Sequence, residues 1–432
     1  MDLLKNIFKG DKVIWIIFLM LCLISITEVF SASSTLVYKS GDHWGPITRH
    51  SIFLMVGTVI VVFVHNIPYK WFQVFPLFLL PLSVIMLIAV MFMGRINNAA
   101  RWIEIGGVAF QPSEIAKMAV VIVTAFILSK GQTEEGASPK AFKRIMIIAC
   151  LICGLILPEN FSTAFLLAGV VFMMMFIGRV SMRKLGVLLG TVVGIIIAGV
   201  IFLQVTKDVD ISFLHRFDTW RARIEKFTSN EQVPAAKFDI DKDAQIGHAR
   251  IAVATSNVIG KGPGNSVQRD FLSQAFSDFI FAIVIEELGL VGGTVVVFLY
   301  ICLLIRAGRI AKKCDRTFPA FLIIGIALLL VSQAIFNMMV AVGLAPVTGQ
   351  PLPLISRGGT STFINCAYIG MILSVSRYTE HLEEERRLQE IQQQLDAQKV
   401  MGIQEEMNNI INNQSQSAAE PTAQILNSDS EF

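Results

Sequence analysis

The residue in this 432-residue sequence that is best placed to do chemistry is Asp278. It lies in the segment 277–281, SDFIF, at the point where an apolar run begins. A carboxylate at the mouth of an apolar helix is partly withdrawn from water, which suits it to accept a proton as a general base. The structural alternative is that Ser277 or Asp278 caps the N-terminus of that helix.

Glu114 and Lys117 are a second pair of candidates, because they are spaced i, i+3 at the start of the apolar run that follows Pro112. Residues at this spacing lie on one face of a helix and can form an ion pair. An ionisable side chain just inside a membrane is costly, so it indicates a functional site, although a purely structural ion pair is the alternative. Arg101, beside Trp102, is a further candidate, for which the alternative is an anchor at the membrane interface.

A glycine-rich segment, GKGPGNSVQ, covers residues 260–268 and supplies the candidates Asn265, Ser266 and Gln268. Glycines allow a backbone to approach a ligand closely and to expose N–H groups to an anion. It is not a nucleotide-binding Walker loop, since no strand precedes it and no Lys-Ser/Thr follows it. The alternative is a turn-rich loop without a ligand. Of the two acids that follow Asp278 by about two helical turns, Glu286 and Glu287, one is expected to be a buried structural acid.

A proline-rich loop over 346–361 ends where another apolar helix begins. Backbone N–H groups at a helix N-terminus can bind phosphate oxygens, and an arginine beside them adds positive charge. The alternative is a loop cap with no ligand. The candidates in this segment are Ser356, Arg357, Gly358, Gly359, Thr360 and Ser361.

The elements that must position these residues are membrane-spanning helices. The chain is 54% hydrophobic and 16% charged, whereas soluble domains are about one quarter charged. Because lipid cannot satisfy open backbone groups, we predict an all-α polytopic integral membrane protein with about ten transmembrane helices. The apolar runs lie near 13–32, 50–66, 71–93, 112–130, 144–158, 162–178, 185–205, 278–305, 318–344 and 361–377.

Orientation follows from the lysines and arginines, which concentrate in one set of loops and predict that this side is cytoplasmic. Both termini are then cytoplasmic, and the first span is expected to stay uncleaved. The four candidate segments fall on the outer side. The predicted outer loops are 33–49, 94–111, 159–161, 206–277 and 345–360, of which 206–277, between helices 7 and 8, is long enough to need structure of its own.

The predicted domains are a transmembrane domain over 1–379 and a cytoplasmic segment over 380–432. Residues 380–411 are predicted to form a polar helix with a thin apolar stripe, either solvated or in a short coiled coil. Residues 412–432 are rich in Ser, Gln and Asn and are predicted to be disordered. Nearly all of the six cysteines lie in predicted spans, including Cys150 and Cys153, which are spaced CxxC, so neither a disulfide framework nor a metal cluster is expected.

Taken together, these segments resemble the SEDS (shape, elongation, division, sporulation) family over about residues 13–377. The resemblance is carried by three ordered motifs, RW…QPSE…K from Arg101 to Lys117, GPGNS…DFIF…EELG over 262–289, and LP…S.GGTS over 352–361. The GKGPGNS stretch is more similar to the division-type (FtsW-like) branch than to the elongation-type (RodA-like) branch. Departures are Ser273, Phe276 and Arg357, which stand where the family often has Pro, His and an aromatic residue.

The resemblance implies a peptidoglycan glycosyltransferase in the bacterial cytoplasmic (inner) membrane that polymerises lipid II on the extracytoplasmic face during cell division. Its catalytic aspartate corresponds to Asp278, which acts as the base or binds a divalent cation, Mg²⁺ or Mn²⁺. Arg101, Lys117 and the helix start at Thr360 are expected to neutralise the diphosphate of the substrate. A class B penicillin-binding protein transpeptidase, other division proteins and membrane lipids are the implied partners. Neither an organic cofactor nor a nucleic acid is expected.

Two other functions stay open from the sequence. The first is a lipid II flippase or carrier, for which the intramembrane Glu114–Lys117 pair would form part of a polar path. The crowding of the candidate residues on the outer face argues against it. The second is a non-catalytic scaffold of the division machinery, in which the segment 380–432 docks partners and Asp278 is dispensable.

Overall fold

A computed structural model describes residues 9–32, 45–92, 102–105, 108–205, 243–272 and 275–428. The chain divides into two compact units, Met1–Arg377 and Tyr378–Phe432. The first unit holds all the candidate site residues. Arg101 and most of the predicted outer loop 206–277 lie outside the described residues.

The described residues are almost entirely helical. The helices are α1 (Lys12–Ala32), α2 (Gly45–Asn66), α3 (Phe75–Phe92), α4 (Pro112–Lys130), α5 (Pro139–Ile156), α6 (Phe161–Ile177), α7 (Met182–Val205), α8 (Asp243–Ala254), α9 (Ile280–Lys313), α10 (Thr317–Ala341) and α11 (Thr360–Ser428). The described residues also contain two 3-10 helices, Tyr69–Gln73 and Gln268–Asp270, and two short antiparallel hairpins. The hairpins are formed by β1 (Ile103–Ile105) with β2 (Val108–Phe110), and by β3 (Gln132–Thr133) with β4 (Gly136–Ala137).

Seven of the described helices are long and apolar enough to cross a membrane, namely α1, α2, α3, α4, α7, α9 and α10. The helix α6 is apolar but shorter. Each of the ten apolar runs of the sequence falls on a helix, so the prediction of an all-α membrane protein is confirmed. The count of ten spans and the placement of both termini stay predictions.

The centre of the first unit is formed by α4 and α10, whose residues are mostly buried. The helix α10 packs on both α4 and α9, and α9 also packs on α1. Few residues of α2, α3 and α7 are buried, and their exposed apolar side chains are of the kind that faces lipid. Polar side chains at the centre of such a bundle therefore need partners within the protein.

The helix α9 is interrupted at Gly289, where the backbone has φ 70° and ψ −173°. A Cβ atom at this position would lie 2.3 Å from the carbonyl oxygen of Val258. Beyond the break, the amides of Leu290 and Val291 donate to the carbonyls of Asn257 and Val258 at 3.2 Å. The predicted single span 278–305 is therefore a short helical segment, a glycine break and a longer helix. Glycine is required because it combines positive φ with the absence of a side chain.

The second unit is the continuation of α11, which ends at Ser428. It includes the polar helix predicted for 380–411, with Leu388, Ile391 and Leu395 exposed. The helix also covers most of the segment predicted to be disordered. Apart from Pro421 that segment contains neither proline nor glycine, so its composition offers little that ends a helix.

Candidate functional site

Asp278 directly precedes α9, and its side chain is half-buried. The N-cap residue of α9 is Phe279, which makes no side-chain capping hydrogen bond. The hydroxyl of Ser277 donates to Oδ1 of Asp278 at 3.0 Å. The start of α9 thus does not depend on a side-chain cap, and Asp278 keeps part of its surface open.

The backbone around Asp278 is held in place because three successive carbonyl groups accept hydrogen bonds from other elements. The carbonyl of Phe276 accepts from the amide of Arg357 at 2.9 Å. The carbonyl of Ser277 accepts from Oγ of Ser356 at 2.6 Å, and that of Asp278 accepts from Nδ2 of Asn337 at 2.9 Å. Asp278 is therefore fixed from two directions, by the loop before α11 and by the buried face of α10.

Two amide side chains on α10, Gln333 and Asn337, organise the loop that faces Asp278. Asn337 Nδ2 also donates to the carbonyl of Gln350 at 2.8 Å, and Gln333 Nε2 donates to the carbonyl of Pro351 at 3.0 Å. They are four residues apart, so they lie on one face of the helix. Both are buried, which makes these hydrogen bonds costly to break.

The Glu114–Lys117 pair belongs to the same buried network. Nζ of Lys117 lies 2.8 Å from Oε1 of Glu114 and donates to Oε1 of Gln333 at 2.8 Å. The side chain of Lys117 is 0% exposed and that of Glu114 is 2% exposed. A chain of hydrogen bonds through Gln333 and the 350–351 backbone thus connects the pair to the segment that holds Asp278. Direct contact of Glu114 or Lys117 with substrate stays a prediction, and in this conformation both side chains lie inside the protein.

Burial divides the six candidates of the loop before α11 into two groups. Ser356, Thr360 and Ser361 are buried. Arg357, Gly358 and Gly359 are half-buried and offer surface to a ligand. The amides of Ser361 and Thr362 close turns on the carbonyls of Gly358 and Gly359, at 3.0 and 3.2 Å.

The glycine-rich loop binds the carboxylates of the protein itself. Glu287 accepts from the amides of Gly264 at 2.8 Å and Ser266 at 3.1 Å. Glu286 accepts from the amides of Val267 and Gln268 at 3.2 and 3.3 Å. These four N–H groups are therefore not available to an anionic ligand, contrary to the expectation from the sequence. The loop is a turn-rich structure anchored on α9.

Both acids of α9 are structural, where the sequence predicted one. Glu286 also pairs with Lys261, at 2.5 Å, and accepts from the hydroxyl of Ser266. Glu287 accepts from the hydroxyl of Ser31 on α1 and lies 3.8 Å from Nη1 of Arg269. Each carboxylate is fully buried and surrounded by donors, which is the condition under which a buried charge is stable.

The three candidates of this loop differ in what they present to a ligand. Ser266 is buried and occupied by Glu286. Asn265 is exposed, and its Nδ2 donates to the carbonyl of Lys261 at 3.0 Å. Gln268 is half-buried, and its Oε1 bonds Nδ1 of His248 at 2.7 Å. Substrate binding by Asn265, Ser266 and Gln268 stays a prediction, with Asn265 the most accessible of the three.

Sequence reasoning missed Gln333, Asn337 and Gln350. Two amides four residues apart in an otherwise apolar helix are a readable signal, because polar groups in lipid need a partner inside the protein. The side chain of Gln350, which donates to Oγ1 of Thr163 at 2.5 Å, gave no such signal because it lies in a loop.

Within the described residues, His, Cys, Asp and Glu side chains form no group of three that could hold a metal ion. Asp278 would supply one carboxylate oxygen to a divalent cation. Mg²⁺ typically takes one or two protein carboxylates and fills its remaining positions with water and substrate phosphates. The described residues therefore fit an ion that also takes ligands from outside the protein, and not an ion that these residues hold alone.

Comparison with known proteins gives related sequences over most of the chain. The chain is 30% identical over 378 residues to "Probable peptidoglycan glycosyltransferase FtsW" of Coxiella burnetii, covering 85% of this chain and 96% of that protein. It is 31% identical over 386 residues to the protein of the same name from Trichlorobacter lovleyi, covering 87% and 96%.

The fold also matches solved structures. One chain of the solved structure "Structural coordination of polymerization and crosslinking by a peptidoglycan synthase complex" aligns with this protein with TM-score 0.68 and 22% identity. The alignment covers 86% of this chain and 99% of that chain. The rod shape determining protein RodA of Thermus thermophilus aligns with TM-score 0.59 and 21% identity, over 86% and 98%. The profile of the "Cell cycle protein" family, FtsW/RodA/SpoVE, matches residues 11–381, and the chain belongs to this family.

Proposed function

We propose that this protein is a division-type peptidoglycan glycosyltransferase that polymerises lipid II on the extracytoplasmic face of the bacterial cytoplasmic membrane. The observation that carries the proposal is the fixation of Asp278. Its half-buried carboxylate stands on a segment whose three carbonyls, those of Phe276, Ser277 and Asp278, are all hydrogen-bonded to other elements. A rigidly held, partly open carboxylate is what a positioned base requires. The FtsW name of the related sequences supports the division branch.

In the proposed reaction, a sugar hydroxyl of one substrate attacks the anomeric carbon of the other. Its proton passes to the Asp278 carboxylate as the new glycosidic bond forms. The bond from the anomeric carbon to the diphosphate breaks, and the lipid diphosphate leaves with the electron pair. This leaving group is already a stable anion, so one carboxylate is enough, in contrast to the two used by most glycoside hydrolases.

A divalent cation, Mg²⁺ or Mn²⁺, is part of the proposal. Asp278 would hold this ion in the alternative in which it does not act as the base, and the ion would supply positive charge that neutralises the leaving group. The buried network of Lys117, Gln333 and Asn337 would keep the carboxylate in place during the reaction.

The proposed partners are lipid II and a class B penicillin-binding protein that cross-links the new strand. One structural neighbour is a peptidoglycan synthase complex that couples polymerization with crosslinking, and this supports such a partner. Other division proteins would assemble on the complex. The segment 380–432 is proposed as a cytoplasmic domain after the transmembrane domain 1–379, and its helix is exposed over almost all of 380–411, where such contacts would form.

The test is polymerisation of labelled lipid II by the purified protein with its transpeptidase and Mg²⁺ or Mn²⁺. Asp278→Asn keeps the size of the side chain and removes the base, so we expect no glycan strands from this variant. The control is Asp270→Ala, which removes an exposed carboxylate from the chain segment that precedes Asp278 and should leave strand formation intact. Strands from Asp278→Asn at the native rate contradict the assignment.

The same preparation separates the two rival functions. If lipid II crosses the membrane of vesicles only when the native protein is present, and no strands form, the protein is a carrier. If the transpeptidase preparation makes strands equally well with native protein and with Asp278→Asn, the protein is a scaffold.

A further inference from the structure

Phe271 is an exposed aromatic residue that directly follows the 3-10 helix Gln268–Asp270. Its side chain is 59% exposed. Its neighbour Asp270 is exposed as well, and so is Asn265 in the same loop. Charged side chains are rare on surfaces that face lipid. The ring of Phe271 therefore lies on a surface that a ligand in water can reach.

The ring of Phe271 is stacked on the imidazole of His248, which belongs to α8. The ring centroids are 4.9 Å apart and the two planes are within 14° of parallel. The imidazole is fixed in turn, because its Nδ1 bonds Oε1 of Gln268 at 2.7 Å. The amide of Phe271 donates to the carbonyl of Gln268 at 3.1 Å, which restrains the backbone that carries the ring. Since His248 covers one face of Phe271, the exposed surface lies on the opposite face and the edge.

Two polar groups beside this stack lack partners. Within the part of the chain that the structure describes, Nε2 of His248 and Nε2 of Gln268 make no hydrogen bond, and both side chains are half-buried. With Oε1 of Gln268 as the acceptor, Nδ1 of His248 carries the proton and Nε2 is an acceptor. The amide nitrogen of Gln268 is a donor. The aromatic surface is therefore flanked by one acceptor and one donor.

This combination of groups fits a sugar ring. A pyranose has faces of C–H groups, which pack on the electron-rich face of an aromatic ring. Its hydroxyl groups lie around the edge and need both donors and acceptors. A lipid tail on Phe271 would leave the polar atoms of His248 and Gln268 without partners, and a phosphate group would gain nothing from the exposed ring.

We infer that Phe271, His248 and Gln268 form a binding subsite for a sugar residue of the glycan strand, at a distance from the reacting carboxylate of Asp278. This inference rests on the proposed function, since that reaction makes a glycan strand at Asp278. Phe271 and Asp278 are seven positions apart in the chain. Seven residues span at most about 25 Å, so a strand of several sugars that starts at Asp278 can reach the stack.

Such a subsite would keep the growing strand on the protein between successive additions. A strand that is held at a second point dissociates more slowly than one held only at the reacting end, because both contacts must open before it leaves. The length of the strands therefore depends on the subsite, and Phe271→Ala should make shorter strands than the native protein.

The experiment is direct binding of a fluorescent chitin oligosaccharide, a water-soluble chain of N-acetylglucosamine, to the full-length protein in nanodiscs. We expect Phe271→Ala to weaken binding about tenfold, because it removes the stacking surface. Phe271→Tyr keeps the aromatic face and should bind like the native protein. Phe271→Leu keeps an apolar side chain without that face and should bind as weakly as Phe271→Ala. The control is Phe298→Ala, which removes a phenylalanine of α9 that is 61% exposed and should not change binding.

Two further variants test the polar groups. His248→Ala removes the support of the ring and the acceptor together, so it should also weaken binding about tenfold. Gln268→Glu keeps an acceptor for His248 and loses only the donor, so a smaller loss of about threefold is expected. Thermal unfolding shows whether each variant is folded. Native affinity in folded Phe271→Ala or Phe271→Leu, or no binding of the oligosaccharide by the native protein, overturns the inference.

This binding assay does not depend on catalysis. If the affinities of the variants follow the expected order but the native protein makes no strands from lipid II, the proposed function fails and the sugar subsite stands. If Phe271→Ala makes strands of native length and binds the oligosaccharide normally, the subsite is wrong and the proposed function stands.

Discussion

The backbone carbonyl of Asp278 accepts a hydrogen bond, 2.9 Å long, from the side chain of Asn337. Asn337 lies 59 residues further along the chain. The same amide nitrogen donates to the carbonyl of Gln350 at 2.8 Å. One buried side chain on α10 therefore sets the spacing between the carboxylate and the loop before α11. This relationship makes Asn337 a positioning residue for the proposed reaction.

Asn337→Leu keeps the approximate volume and leaves two buried carbonyls without a donor. We expect the unfolding free energy to fall by about 1–3 kcal/mol. Because Asp278 would no longer be held in register, kcat for strand formation should fall on the order of 100-fold, with KM for lipid II much less affected. Steady-state polymerisation and thermal unfolding in detergent measure the two effects.

The matched control for Asn337 is Ser332→Ala, a half-buried polar residue of the same helix. It should leave both quantities close to native. An Asn337→Leu protein that loses stability but retains native kcat would show that Asn337 supports the fold without positioning Asp278.

The buried Glu114–Lys117 pair predicts strong coupling between its two members. Removing one partner alone, in Lys117→Met or Glu114→Gln, leaves a charge or a donor unpaired inside the protein. The free energy of unfolding should then fall by about 3–5 kcal/mol. The double variant should regain much of this loss, and a double-mutant cycle from thermal unfolding measures the coupling. We expect polymerisation to stay low in the double variant, because Gln333 still lacks the donor that Lys117 supplied. Full activity there would assign the pair a purely structural role.

Glu287 is predicted to hold the glycine-rich loop on α9. In Glu287→Ala the amides of Gly264 and Ser266 lose their acceptor, and so does the hydroxyl of Ser31, which still accepts from Nη1 of Arg269. Hydrogen exchange at peptides covering 260–269 should become faster, while exchange in α4 should not change. Glu383→Ala, an exposed acid on α11, is the control. Unchanged exchange in 260–269 would show that other contacts hold the loop.

The break in α9 gives a prediction with a control on the same helix. Gly289→Ala places a Cβ atom 2.3 Å from a backbone oxygen at a positive φ, so we expect misfolding or a large loss of thermal stability. At Gly308 nothing lies within 4 Å of the added atom. Gly308→Ala should therefore be tolerated and can add up to about 1 kcal/mol to stability, since alanine is the better helix former. Equal stability of the two variants would contradict the observed break.

The sequence alone determined the class of fold and the segments that hold the candidate site residues. Apolar runs long enough to cross a membrane as helices predict an all-helical membrane bundle, because lipid satisfies no backbone hydrogen bond. The i, i+3 spacing of Glu114 and Lys117 correctly indicated an ion pair. These inferences depend on local periodicity and composition, which the order of residues specifies directly.

Only the tertiary structure decided which candidates are accessible at the surface and which are bonded inside the protein. The glycine-rich loop has the composition of an anion site, yet its amides are filled by Glu286 and Glu287. Asn337 and Ser356 donate hydrogen bonds to the segment before α9 from 59 and 79 residues away along the chain. Contacts at such separations are set by the packing of helices around α10, and no local pattern in the sequence encodes which donor satisfies which acceptor.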